Sequence, residues 1–387
     1  MDEKFWQSIR DEFPVTRHLA YFQSAGMSPL PNCVVKAVTQ AYERLSNWGD
    51  MYFMQDLERA DRLREKLGRM IGTSADNLTF APNTSTGFNY LAAALKAGAD
   101  KPFNLVSLMD EFPSSHIPFE YQGIQIKFVK SCNGVYSVDS IMKATDENTL
   151  GVVCSYVQYS SGFRLDVKAL GEALKEKGLL FILNATQAFP IFDVDVQQMH
   201  VDALSVSFHK WGLCGLVGSM LFTSEEFRRR FPLPMAGWLS VQPPPDDFIP
   251  TQKETTYQQF EDARQYNFGT MNFQALAGLD AAIDFMETTG RENIRQRILS
   301  LTDYLLEKLK QLPLNILSPL DAPEYRSAIL LVDLTKGSNA GAVEFLRENH
   351  VVTSLRAGKI RISCNFFNNK KDVDRLIEVL KKYFTTL

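Results

Sequence analysis

The sequence predicts an α/β fold built on a mostly parallel sheet covered on both faces. Two observations carry this. Between residues 77 and 222, short apolar runs alternate with stretches of helical periodicity, and most of those runs end in polar residues. A third observation is size: 387 residues, 45% hydrophobic and 22% charged, is enough for two domains and a core that can support a cleft.

Taken in order, residues 1–20 read as a short amphipathic helix (Phe5, Trp6, Ile9, Phe13) ended by Pro14. A small-residue, proline-rich loop, Tyr21 to Pro31, lets backbone approach a ligand closely. Helical spacing resumes at Val34–Leu45 and Asp56–Met70. A strand from Asn77, a hydroxyl-rich turn and a helix through Leu95 follow. Strands are expected at Phe103–Leu108, Ile124–Val129, Leu150–Val157, Leu179–Leu183, Ala203–Ser207 and Gly218–Phe222, with a proline-opened helix near 113 and another at Val167–Lys177. Past Arg230 the composition shifts to a proline-rich loop, Val241 to Pro250. A tight turn then opens the long helix Phe273–Met286. The remainder reads as helix Arg291–Leu312, strand Ser327–Val332, helix Gly341–Glu348, strand Lys359–Cys364 and a helix from Asp372.

Composition excludes several classes. A net charge of -4 with no long basic run gives no nucleic-acid signature. The N-terminus lacks an apolar signal core and no segment is long and apolar enough for a membrane span. The five scattered cysteines predict reduced thiols and a cytoplasmic location. They form no metal-ligand pattern with the five histidines, so no metal is expected.

In a parallel sheet the ligand lies at the carboxyl ends of the strands. Those ends carry Asn83-Thr-Ser-Thr86, Glu111-Phe112, Gln158, Asn184 with Gln187, and Ser207 with His209 and Lys210. A lysine there is either a surface charge or an amine held for covalent chemistry with a carbonyl compound. A hydroxyl-rich turn opening a helix is either a plain cap or a phosphate site. Set together with an aromatic and a hydrogen-bonding pair, the pattern fits a phosphorylated aromatic aldehyde held as a Schiff base, which is pyridoxal phosphate.

The ordered series Tyr21, Asn83-Thr-Ser-Thr-Gly-Phe-Asn89, Glu111-Phe-Pro-Ser, Asn184-Ala-Thr-Gln187, Ser207-Phe-His-Lys210, Phe268-Gly-Thr270 and Arg361 resembles the class V aminotransferase family. These are fold-type I pyridoxal-phosphate enzymes that include cysteine desulfurases and isopenicillin-N-epimerase-like proteins. The resemblance spans nearly the whole chain. It implies a large cofactor-binding domain with a mostly parallel seven-stranded sheet over residues 21–272. A long connecting helix and a smaller α+β domain would fill 273–387, with the helix of residues 1–20 packed against that smaller domain. It also implies a homodimer with shared active sites.

Carried over by position, Lys210 would hold the cofactor as a Schiff base and then shuttle a proton. Thr84, Ser85, Ser207 and His209 would hold the phosphate, Phe112 would stack on the ring, and Gln187 would bond its phenolic oxygen. Thr270 would reach the neighbouring subunit's phosphate, and Arg361 would take the substrate carboxylate, a task to which a guanidinium fork is suited.

Two departures stand out. The family's usual aspartate facing the ring nitrogen is Asn184 here. A carboxylate–pyridinium pair at about 3 Å and an effective dielectric near 20 is worth several kcal/mol before desolvation. An amide supplies no such countercharge, so a less protonated ring and slower transamination are expected. Second, residues 349–358 hold no cysteine of the kind a desulfurase uses to accept sulfur, and Cys364 reads as a structural thiol. The resulting expectation is an enzyme acting on an amino acid, an aminotransferase ahead of a carbon–sulfur lyase without a persulfide cysteine or an epimerase. The rival from another class is a non-catalytic binding protein of the same fold.

Overall fold

The computed structural model describes residues 2–243 and 257–387, so residues 244–250 of the proline-rich loop lie outside it. Thirteen strands occur among the described residues: β1 (Ala20–Tyr21), β2 (Leu78–Ala81), β3 (Asn104–Leu108), β4 (Gln125–Val129), β5 (Thr149–Ser155), β6 (Leu180–Asn184), β7 (Ala203–Ser207), β8 (Ser219–Thr223), β9 (Leu314–Ile316), β10 (Ile329–Leu334), β11 (Val351–Val352), β12 (Ser354–Arg356) and β13 (Lys359–Ser363).

The central sheet has seven strands in the order β2-β8-β7-β6-β5-β3-β4. Strands β3 to β7 run parallel, whereas β8 is antiparallel to both its neighbours, β7 and β2. Every residue of β3, β6, β7 and β8 is buried, as a sheet covered on both faces requires. The alternation in β7 has a physical reason. Leu204 and Val206 point into the main core, while Ala203 faces a second apolar layer formed with the helix Thr84–Gly98. Gly87 permits that helix to sit close: a Cβ there would meet Ser205 Oγ at 3.3 Å. The close approach sets the helix's first turn beside the carboxyl end of β7.

A four-stranded antiparallel sheet, β12-β13-β10-β9, belongs to a separate core with the helices Arg291–Leu309, Asn339–Glu348 and Lys370–Thr385. Ala20 and Phe22 from the start of the chain join this core, because β1 pairs in parallel with β11. The N-terminal helix Glu3–Asp11 stops before Pro14, which instead opens a 3-10 turn, Pro14–Arg17, where a missing N–H costs nothing. Arg10 ties this region to Asp372 through a 2.6 Å ion pair. The helices Val138–Lys143 and Glu225–Arg230 and the strands β1, β9, β11 and β12 lie outside the elements expected from sequence; each is too short to show a period. Among the described residues no helix is long and apolar enough to cross a membrane.

Candidate active site

Strands β5, β6 and β7 are adjacent and parallel, so their carboxyl ends deliver Ser155, Asn184 and Ser207 to one edge of the sheet. A cavity of about 300 Å³ opens there. Nine of the ten residues singled out from sequence line it: Thr84, Ser85, Phe112, Asn184, Gln187, Ser207, His209, Lys210 and Arg361. Thr270 does not. It lines a separate cavity with Phe80, Tyr90 and Phe268.

One end of the cavity is a start of helix. Asn83 caps the helix Thr84–Gly98 by accepting from Thr86 N, and Asn83, Thr84 and Ser85 of this helix start line the cavity. Thr84 and Ser207 share a short hydroxyl–hydroxyl hydrogen bond, and Ser85 Oγ lies 2.9 Å from Ser114 Oγ. Burial, then the charge of Lys210, pulls the His209 ring down to about 4, so it is neutral near pH 7. The donors at this end are therefore hydroxyls, helix N–H groups and a neutral imidazole.

The two amides opposite are oriented without ambiguity, because each is fixed by a group that only donates. Trp211 Nε1 donates to Gln187 Oε1 at 2.8 Å, and Gln187 Nε2 in turn donates to the carbonyl of Ala25 at 2.9 Å. Thr186 N donates to Asn184 Oδ1 at 3.1 Å, so the nitrogen of Asn184 is the atom that donates to Ser115 Oγ at 3.0 Å. Both residues line the cavity, and each amide has one further N–H beyond the bond it donates here.

Behind Ser115 lies Glu111, a fully buried carboxylate. It accepts from Ser155 N at 2.6 Å, Ser155 Oγ at 2.5 Å and Gln158 Nε2 at 2.8 Å. Burial raises its proton affinity, and the donors oppose that. Glu111 thus ties β5 to the loop after β3, which carries Phe112.

Lys210 Nζ lies 5.2 Å from the centroid of the Phe112 ring, and Tyr159 packs edge-on against that ring at 5.2 Å. Burial, reinforced by the charges of Arg361 and Arg356, pulls the Lys210 ammonium down to about 7. A substantial share of this amine is neutral, and so nucleophilic, near pH 7. Arg361 is 2% exposed; its Nη1 donates to the carbonyl of Tyr159 at 2.7 Å and its Nε to Ser354 Oγ at 3.2 Å. Its Nη2 is buried without a partner.

Sequence reasoning missed Arg356, which also lines the cavity. The signal was present: Ser354 and Arg356 mirror Lys359 and Arg361 across Ala357-Gly358, the pattern of a two-residue hairpin. No cysteine is among the cavity's lining residues, and Cys364 is buried with its thiol pushed up to about 12 by burial.

A family model described as Aminotransferase class-V matches residues 20–376. A probable cysteine desulfurase of Methanothermobacter thermautotrophicus is 24% identical, with 97% of each chain covered. The apo cysteine desulfurase of Thermococcus onnurineus superimposes with a TM-score of 0.89 at 20% identity, covering 98% of both chains. A mutant of C-DES with glycine covalently linked to its PLP cofactor gives a TM-score of 0.86 at 18% identity, covering 96% of this chain and 98% of that one. At such identities the structural likeness establishes the fold.

Proposed function

The chain belongs to the class V aminotransferase family, and from that premise we propose a pyridoxal-phosphate enzyme that transfers the amino group of an amino acid. The observation that carries this reading is the amine of Lys210, its ammonium pulled down to about 7, beside an aromatic ring and a guanidinium whose Nη2 is left bare.

The residues fit the cofactor. The helix start with Thr84, Ser85, Ser207 and the neutral His209 suits a phosphate. Phe112 covers a ring face. The free N–H of Gln187 suits a phenolic oxygen, and that of Asn184 suits an unprotonated ring nitrogen. The Nη2 of Arg361 suits a carboxylate, whose arrival would satisfy an atom that is otherwise buried and unbonded. When bound, pyridoxal phosphate supplies an aldehyde for an amine and a ring that accepts electrons from the substrate's α carbon. The protein's part is positional and acid–base: Arg361 orients the substrate, and Lys210 Nζ takes the α proton from one position and returns it to another. Thr270, away from the cavity, is accounted for by a homodimer in which it serves the partner's phosphate.

A second reading, elimination of a β substituent without a persulfide cysteine, is favoured by Asn184. An amide N–H donated to the ring nitrogen would leave the ring uncharged and a weaker electron sink, which would handicap reprotonation chemistry more than loss of a good leaving group.

The test is purified protein supplied with pyridoxal phosphate. It should absorb near the visible–ultraviolet boundary and become covalently labelled on borohydride treatment. Turnover of amino acids that depends on a keto-acid acceptor supports aminotransfer. Ammonia or sulfide release without an acceptor supports elimination. Protein that retains no cofactor removes both readings.

A further inference from the structure

The proposed reaction uses one guanidinium, and the cavity holds two. Strands β12 and β13 form a hairpin in which Ser354 faces Arg361 and Arg356 faces Lys359. Directly paired residues share a face, as do alternate residues along a strand, so these four side chains project from one side. The connection is tight: Ala357 and Gly358 both have positive φ, 47° and 74°.

The fates of the three cations on that face differ. Lys359 is neutralised by Asp333. Arg361 and Arg356 have no carboxylate partner among the described residues. Arg361 is held by a hydroxyl and a carbonyl, with Nη2 left bare although the residue is 2% exposed. Arg356 Nη1 reaches the carbonyl of Leu355 at 2.7 Å. Both line the cavity with Lys210, and no Asp or Glu among the described residues lines it. Two guanidinium groups beside an amine, with no acid among the described lining residues, are costly to hold together, and an arriving anion offsets that cost. The phosphate-suited donors are elsewhere, at the helix start by Thr84. The hairpin therefore presents two anion positions to whatever occupies the space in front of Lys210.

We propose that the substrate is an acidic amino acid, with Arg361 holding the α-carboxylate and Arg356 reading a side-chain carboxylate. This rests on the pyridoxal-phosphate reading. The competing arrangement, both guanidinium groups on one carboxylate, makes a different prediction for the same variants.

The experiment titrates the cofactor-loaded protein, by its absorption spectrum, with L-aspartate, L-glutamate, their amides L-asparagine and L-glutamine, and L-alanine. At least one acid should half-saturate at a concentration tenfold or more below that of its amide. In Arg356→Gln that acid should lose at least ten times more affinity than L-alanine does, whereas Arg356→Lys should recover part of the preference. Arg361→Gln should weaken acids and L-alanine together. As a readout independent of turnover, succinate should raise the melting temperature of the loaded protein more than butyrate, and the difference should vanish in Arg356→Gln. Acid and amide half-saturating within threefold of each other would overturn the inference while leaving the cofactor reading intact. Equal losses for acid and L-alanine in Arg356→Gln would overturn it in favour of a shared single carboxylate. Protein that takes up no pyridoxal phosphate removes the cofactor reading and this inference with it.

Discussion

Thr186 N points at Oδ1 of Asn184 from 3.1 Å, and this contact decides which end of the amide the cavity meets. A backbone N–H cannot accept, so the oxygen is held on that side and the nitrogen is the end left to donate. Replacing Asn184 with Asp puts a carboxylate oxygen in place of that nitrogen. The expected outcome is a protonated cofactor ring, seen as a changed absorption spectrum and pH dependence of the bound cofactor. Transamination should rise by about tenfold or more, since one decade needs only about 1.4 kcal/mol of the several available. An unchanged spectrum in Asn184→Asp would show that the amide does not set the ring's charge.

Lys210 gives a prediction with a definite sign. Its ammonium falls from 10.5 to about 7 through burial and then through Arg361 and Arg356. Between those values the unfolded chain binds a proton that the folded, cofactor-free protein does not, so this group makes stability rise with pH across that window. Lys210→Met removes the penalty. At pH 7 the cofactor-free variant should be more stable, on the order of a few kcal/mol, and the gain should shrink toward pH 10. The same variant should lose borohydride labelling and nearly all turnover. Urea unfolding at several pH values, alongside spectra, checks both halves.

Asp202, at the opposite end of the sheet, shows the reverse arithmetic. Burial lifts it from 3.8 to about 6, against a 2.8 Å hydrogen bond from Phe181 N. The folded state therefore favours the protonated acid, and stability falls as pH rises from about 4 through about 6. Asp202→Asn keeps an acceptor for Phe181 N. It should stabilise by roughly 1–2 kcal/mol at pH 8 and by almost nothing at pH 4. Melting curves at the two pH values decide it.

The hairpin turn offers a mild stabilisation. Ala357 occupies a left-handed conformation that a Cβ resists, followed by Gly358 in the same region. Asn-Gly is the preferred pair for such a turn. Ala357→Asn should add about 0.5–1 kcal/mol, read as a higher denaturation midpoint with an unchanged slope.

Much of the architecture was legible because long elements carry a period. The strands ending at Asn184 and Ser207 and the helix after Asn83 are continuous enough to be read locally, and the carboxyl-end rule then gathers their polar ends. Arg356 escaped because β12 has only three residues, so the mirrored pattern about Ala357-Gly358 was its one local signal. The wiring of Asn184 to Ser115, and of Glu111 to Ser155 and Gln158, joins loops from different strands, which no local pattern reports. Thr270 belongs to a different cavity because the turn before the helix Phe273–Thr289 lies against Phe80 and Tyr90 there, a placement that only the fold shows.

The pairing of β1 with β11 has a consequence for how the molecule is made. Ala20 and Tyr21 leave the ribosome long before their partners, Val351 and Val352, are synthesised. Ala25, whose carbonyl receives Gln187 and whose N–H reaches Ser363 Oγ at 3.0 Å, waits with them. The segment of β1 must therefore stay unpaired until residue 352 has emerged, with loop closure deferred to that point. One wall of the cavity forms only after that point, so a chain stalled before residue 351 would hold its lysine in a half-built pocket.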